Sequence, residues 1–185
     1  MVQKMLNKTR IQKKKMRIGI DLDNTIINYN SAFQIGALRM GYEHCRKCTT
    51  KNQVKSKILD GIDGQMKWER LQGKIYGEWI NLAKIYSGFF RFLKKAISRD
   101  FYICIVSHKT EYGHHVGKNI SLRESAKYFL RSNGIEVDEE NPEKISIFFL
   151  NTRLEKIRKI DELKLDYFID DLLKIFQDKN FSSQT

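Results

Sequence analysis

Three short apolar runs in this chain each end on an acid or a hydroxyl: RIGIDLDNT at 17–25, IVSHKT at 105–110 and YFIDD at 167–171. Consecutive apolar residues over so short a span are what a strand buried on both faces of a parallel sheet requires. The segments between them carry helical spacing instead. That alternation predicts an α/β fold, a doubly wound parallel sheet with right-handed crossovers and helices on both faces. It also gathers the polar ends of the strands at the edge where open α/β sheets collect their chemistry.

The spacing predicts strands at Arg17–Leu22, Phe101–Val106, Ile145–Leu150 and Leu165–Ile169. From Ile26 to about Ser87 the pattern is helical and contains no strand. Trp68, Leu71, Ile75, Trp79, Leu82 and Tyr86 recur at spacings of three and four, which predicts one long amphipathic helix. Gly73 and Gly77 lie one turn apart near its opposite face. Two such glycines cost about 1 kcal/mol each in a helix interior, so either another helix or a substrate lying beside Gln72 and Tyr76 should approach that face. Phe89–Arg99 reads as a second helix, with Phe89, Phe90, Leu93 and Ile97 toward the sheet. Ser121 with Glu124, and Thr152 with Glu155, mark the capped starts of two more helices, the first ending at Asn133-Gly134. The chain thus divides into a tail over 1–15, a core over 16–25 and 88–185, and a helical insert over 26–87.

At 185 residues and 41% hydrophobic content the chain can hold one full core plus a small insert. No run approaches the ~18 apolar residues of a membrane helix, so a soluble protein is expected. The formal charge of +12 suggests a nucleic-acid partner at first. Half of it, however, sits on Lys4, Lys8, Arg10, Lys13, Lys14 and Lys15, a tail with no acid and no apolar periodicity, which predicts disorder. A modest attraction to anionic substrates is the inference that remains. The tail lacks the apolar centre of a secretory signal, which points to the cytoplasm. Cys45 and Cys48 form half of a zinc site with no second half, and read as a surface turn bearing two reduced thiols. Cys104 reads as a small buried hydrophobe.

The strand ends supply the parts for moving a phosphoryl group. Asp21 can attack phosphorus, and Asp23, two residues on, is placed to protonate the leaving oxygen and later to activate water. Like charges would repel the two reactants unless Mg2+ bridges them, and Asp170 and Asp171 are its natural ligands. Ser107 offers a hydroxyl to a phosphate oxygen. Lys156, in the first turn of a capped helix, offers a compact charge, with Lys159 one turn further on as the alternative. His108, Lys109, Arg153 and Tyr76 could meet the leaving group; of these only His108 is taken as a binding residue.

In these residues the chain resembles the haloacid dehalogenase-like hydrolase superfamily, whose four motifs match Asp21-Leu-Asp-Asn-Thr25, Ser107, Lys156 and Asp170-Asp171. The likeness covers Met16 to about Phe176. It implies a Rossmann-like core, a helical cap inserted after the first strand, an aspartyl phosphate on Asp21, and Mg2+ held by Asp21, Asp23 and the fourth motif, with the backbone carbonyl of Asp23 as its contribution. Asp23 marks the phosphatase branches rather than the dehalogenases. The short cap and the Thr152–Lys156 segment are similar to the deoxyribonucleotidases. The chain ends fourteen residues after Asp171, where relatives usually add a helix and a strand. The expected activity is that of a magnesium-dependent phosphomonoesterase acting on a sugar phosphate or a nucleoside monophosphate. The alternatives are a nucleic-acid-binding protein or polynucleotide-end phosphatase using the basic tail, and a regulatory domain without turnover.

Overall fold

The computed structural model describes residues 15–114, 120–139, 141 and 144–181, so the predicted tail lies outside the described residues apart from Lys15. In chain order the elements are β1 (Arg17–Ile20), β2 (Ile27–Asn28), α1 (Asn30–Arg39), α2 (Lys51–Leu59), α3 (Gly64–Tyr76), β3 (Lys84–Ile85), α4 (Ser87–Ser98), β4 (Tyr102–His108), α5 (Leu122–Ser132), β5 (Val137–Asp138), β6 (Ile145–Leu150), α6 (Arg153–Glu162), β7 (Tyr167–Ile169) and α7 (Leu173–Phe176). Five strands form one parallel sheet in the order β5-β6-β4-β1-β7. The order reverses at β1, because β4 and β6 lie to one side of it and β7 to the other. That reversal opens a crevice beyond the carboxyl end of β1.

Strand alternation divides the core between the two faces of the sheet. Ile18, Ile20, Ile103, Ile105 and Ile147 pack under α4 and α5 through Phe89, Ala96, Ala126, Phe129 and Leu130. Cys104 and Val106 face the other way, with Phe168 and with Ile157, Ile160 and Ile175 of α6 and α7. On that second face a Cβ at Gly19 would come within 2.3 Å of Leu165 Cδ1 and 2.9 Å of Phe168 Cδ2, so only glycine lets the chain lie so close to β1. The α/β architecture with helices on both faces is as expected.

The insert departs from expectation in three places. Its neck is an antiparallel ribbon, β2 paired with β3 through Ile27 with Ile85 and Asn28 with Lys84, where only helix was predicted. The predicted long helix ends at Tyr76; Gly77 leaves helical geometry at φ −112° and ψ −104°, and the chain continues through a 3-10 turn at Ile80–Leu82 into β3. The apolar spacing persisted through Trp79 and Leu82 because both pack against the same core, each by its own turn of the backbone, whereas Tyr86, the last member of the predicted stripe, is 37% exposed. Close helix contacts are made by Gly36 of α1, whose Cβ would meet Ile75 Cδ1 at 2.5 Å, and by Gly64 of α3, whose Cβ would meet Ile58 O at 2.5 Å, rather than by Gly77. Gly77 instead faces Ile120 and Leu122 at the start of α5, at 3.1 and 3.2 Å from an added Cβ.

Two further corrections concern burial. On α4 the inward residues are Phe89 and Ala96, with Phe92 and Leu93 partly buried, whereas Phe90 and Ile97 are 44% and 65% exposed. Ala96 is small enough to bring the helix down onto the sheet, which turns its bulkier neighbours outward. Cys45 and Cys48 are not on a surface turn but buried in the insert core, where burial pushes the Cys45 thiol up to about 11. A thiol so held stays protonated and inert. No helix is long and apolar enough to cross a membrane, among the described residues.

Candidate active site

Asp21 follows β1 directly, its amide donating to Ile169 O at 2.8 Å so that the ends of β1 and β7 stay locked together. The chain then folds back on itself. Leu22 O accepts from the amides of Ile26 and Ile27, both at 3.0 Å, and Asn24 takes a left-handed conformation at φ 64°, one of the few residue types that tolerates it. Fully buried Leu22 anchors this turn. Asp21 and Asp23 therefore leave the same tight turn on one side and line one cavity of about 370 Å³ between the sheet edge and the insert.

Lys156 enters from the opposite wall. Thr152 caps α6, its hydroxyl accepting from Glu155 N at 3.1 Å, and this fixes the first turn that carries the lysine. Its Nζ lies 2.5 Å from Asp21 Oδ1 and 2.6 Å from Asp170 Oδ2, with the residue 1% exposed. Of the two predicted lysines, Lys156 is the one in the site; Lys159 pairs with Glu162 at the surface. Burial pushes the Asp21 carboxyl up to about 7, with Asp170 and Asp23 adding to the rise and Lys156 opposing it. This carboxylate needs more positive charge than one lysine provides.

Carboxylate oxygens of Asp21, Asp170 and Asp171 lie within 4.8 Å of one another, a set that could hold a metal ion. All-oxygen, carboxylate-rich ligation suits Mg2+, and the high pKa of Asp21 is the state a divalent cation would relieve. The residues fit that ion. The Asp23 side chain is not brought into this group. Its oxygens instead accept from Lys109 Nζ at 2.7 and 3.0 Å and from the Tyr29 hydroxyl at 2.8 Å.

Ser107, the penultimate residue of β4, is 1% exposed and lines the cavity beside His108. His108 is exposed, with Nε2 3.1 Å from Asn151 O. Lys109, which the sequence did not single out as a binding residue, is 3% exposed. It is held there by Arg123 of α5, whose Nε donates to Lys109 O at 2.9 Å.

The sequence reading missed two participants from the insert. Tyr29 sits just before α1 and is fully buried. Lys51 opens α2, its amide donating to Asn30 Oδ1 at 2.9 Å and its Nζ to the Tyr76 hydroxyl at 2.8 Å. Desolvation lowers the Lys51 pKa, while Asp23 and Asp171 pull it back up. A signal for Lys51 existed: Thr50 and Gln53 form a capping box, which marks Lys51 as the first helical residue. No family model matches the chain, and no curated protein matches it.

Proposed function

We propose that the protein is a magnesium-dependent phosphomonoesterase of the haloacid dehalogenase-like type, acting on a small phosphorylated metabolite. The observation that carries this reading is the convergence of the Asp21, Asp170 and Asp171 carboxylates, two of them paired with the buried Lys156 ammonium, at a cavity lined by Asp21, Asp23, Ser107, Lys156 and Asp171. Bound there by Asp21, Asp170 and Asp171, Mg2+ would offset the negative charge that otherwise keeps a carboxylate and a phosphate dianion apart.

In this mechanism Asp21 attacks phosphorus, forming an Asp21 O–P bond as the bond to the leaving oxygen breaks. Asp23 gives its proton to that oxygen, so the leaving group departs as a neutral alcohol. Water then attacks the aspartyl phosphate, returns a proton to Asp23 and releases inorganic phosphate and the free Asp21 carboxylate. Lys109 and Tyr29 hold Asp23 in place between the two steps. Ser107 and Lys156 bind phosphate oxygens, as charge-assisted contacts in a water-poor site do best. The cavity is of a size for a small molecule.

The test is hydrolysis of p-nitrophenyl phosphate and a panel of metabolite phosphates, with a 5′-phosphorylated oligonucleotide included. Turnover with magnesium that vanishes in excess chelator is expected. Equal rates in chelator would remove the metal, and preference for the oligonucleotide would move the reading to a polynucleotide-end phosphatase.

A further inference from the structure

Lys51 is a cation inside the cavity with no carboxylate in ion-pair contact among the described residues; Asp23 and Asp171 act on it only from farther away. The other two lysines of the site are paired, Lys156 with Asp21 and Asp170 and Lys109 with Asp23. Among the described residues Lys51 Nζ makes no ion pair. It bonds the Tyr76 hydroxyl and otherwise lies 5.4 and 5.5 Å from the ring centres of Phe33 and Tyr76. An ammonium among aromatic side chains has lost much of its water, and a neutral phenol replaces only part of it. Its place at the start of α2 adds the positive end of a helix, which disfavours a lone cation and favours an anion. A ligand anion in contact with Nζ would stabilise it further.

The rest of the wall continues the bias. Arg153 at the start of α6, with His108 and His114, lines the same cavity, and outside the aspartates only Glu69 supplies a negative charge among the described residues. Arg153 is tied loosely, 3.6 Å from Asp178 and half exposed. A nucleobase, by contrast, would want the broad free face of a phenol or indole ring. Tyr76 is the one phenol or indole ring on the described wall, and its face is taken by Lys109 Nζ, 4.2 Å from the ring centre. Its remaining sides meet Tyr29 and Phe33 at centroid distances of 4.8 and 5.9 Å.

We infer that the substrate is a small phosphomonoester whose leaving group carries a second anionic group, a carboxylate or a second phosphate, and that Lys51 of the insert holds it. This rests on the phosphomonoesterase reading. It selects against both nucleoside monophosphates and sugar phosphates with neutral tails.

The experiment compares 6-phosphogluconate and glucose 1,6-bisphosphate, the carboxylate and phosphate arms, with glucose 6-phosphate and a nucleoside 5′-monophosphate. For the wild-type chain kcat/KM should favour one or both doubly anionic substrates by at least about tenfold. In Lys51→Met that preference should collapse to within about threefold, through a higher KM for the doubly anionic substrates. Lys51→Arg should keep part of it. Calorimetry on the Asp21→Asn protein with magnesium, which binds without turnover, repeats the comparison independently of activity, with and without Lys51→Met. A wild-type chain that turns over p-nitrophenyl phosphate yet shows no preference overturns the inference and leaves the phosphatase standing. Loss on Lys51→Met that is equal for all substrates also overturns it, since Lys51 would then serve the phosphoryl group. Absence of all turnover, with the binding preference intact, removes the phosphatase but retains the anion subsite; absence of both removes both.

Discussion

A carboxylate as enclosed as Asp21 is more stable with a proton or a cation than alone. Its pKa rises on folding from 3.8 to about 7, so the folded state holds the proton more tightly than the unfolded one. Its stabilising contribution is therefore complete below about pH 4 and is lost as pH climbs through 7. Metal-free protein carrying Asp21→Asn should melt higher than wild type at pH 8, with the gap closing toward pH 5, while its turnover is abolished. Magnesium should raise the wild-type melting temperature more at pH 8 than at pH 5, because the ion binds the deprotonated form. Melts across pH with and without the metal check both, and a magnesium effect that grew toward acid would contradict the assignment. Lys109→Met leaves Asp23 with Tyr29 alone. Losing one member of a buried pair costs ~3–5 kcal/mol in full burial, and less here because the Asp23 side chain is 19% exposed. The variant should slow hydrolysis of alkyl phosphates more than of p-nitrophenyl phosphate, whose leaving group needs no proton. The residues legible in sequence were those with local signals: Asp21, Ser107, Asp170 and Asp171 at strand ends, Lys156 behind a cap. Tyr29 and Lys51 reach the site only because the insert folds over it, and Lys109 is buried where its ammonium meets Asp23, 86 residues away in sequence, with Arg123 bonding its carbonyl.

At the scale of elements, caps were better guides than apolar stripes. Ser121 and Thr152 start α5 and α6 as read, since a hydroxyl accepting a free amide is a contact within four residues. The stripe misled beyond Tyr76 because burial of Trp79 and Leu82 against one core keeps its spacing even after the backbone leaves the helix. Gly77 marks that departure, and it packs against α5 rather than against a cap helix or an open groove. A Cβ there already meets Ile120 Cγ2 at 3.1 Å and Leu122 Cδ2 at 3.2 Å, with Gly73 O at 3.1 Å. Gly77→Leu should thus lower stability by ~1–3 kcal/mol through overpacking. Denaturant unfolding monitored beside steady-state kinetics measures this, and an unshifted midpoint with a raised KM would restore the groove.

For the whole molecule the question is whether the insert is a separate folding unit. Its helices have their own contacts, such as the stacking of Phe33 on Trp68 at 4.9 Å between ring centres. Yet its buried residues run without a break into those under α4 and α5, through Ile80, Ala83, Leu122 and the β2–β3 ribbon. Asn30, Tyr29 and Lys51 further tie insert geometry to the site. An insert of about sixty residues sharing its core in this way has too little surface of its own to bury if the sheet layer unfolds. The two should melt together, as small cooperative units do. The sequence supplies a built-in probe, because both tryptophans, Trp68 and Trp79, lie in the insert. Tryptophan emission reports on the insert alone, while far-ultraviolet circular dichroism reports on every helix and strand. The two signals should give superimposable urea transitions with the same midpoint and slope. An earlier fluorescence transition would show the insert opening first, as a lid with its own stability, and would place the entry of substrate under its control.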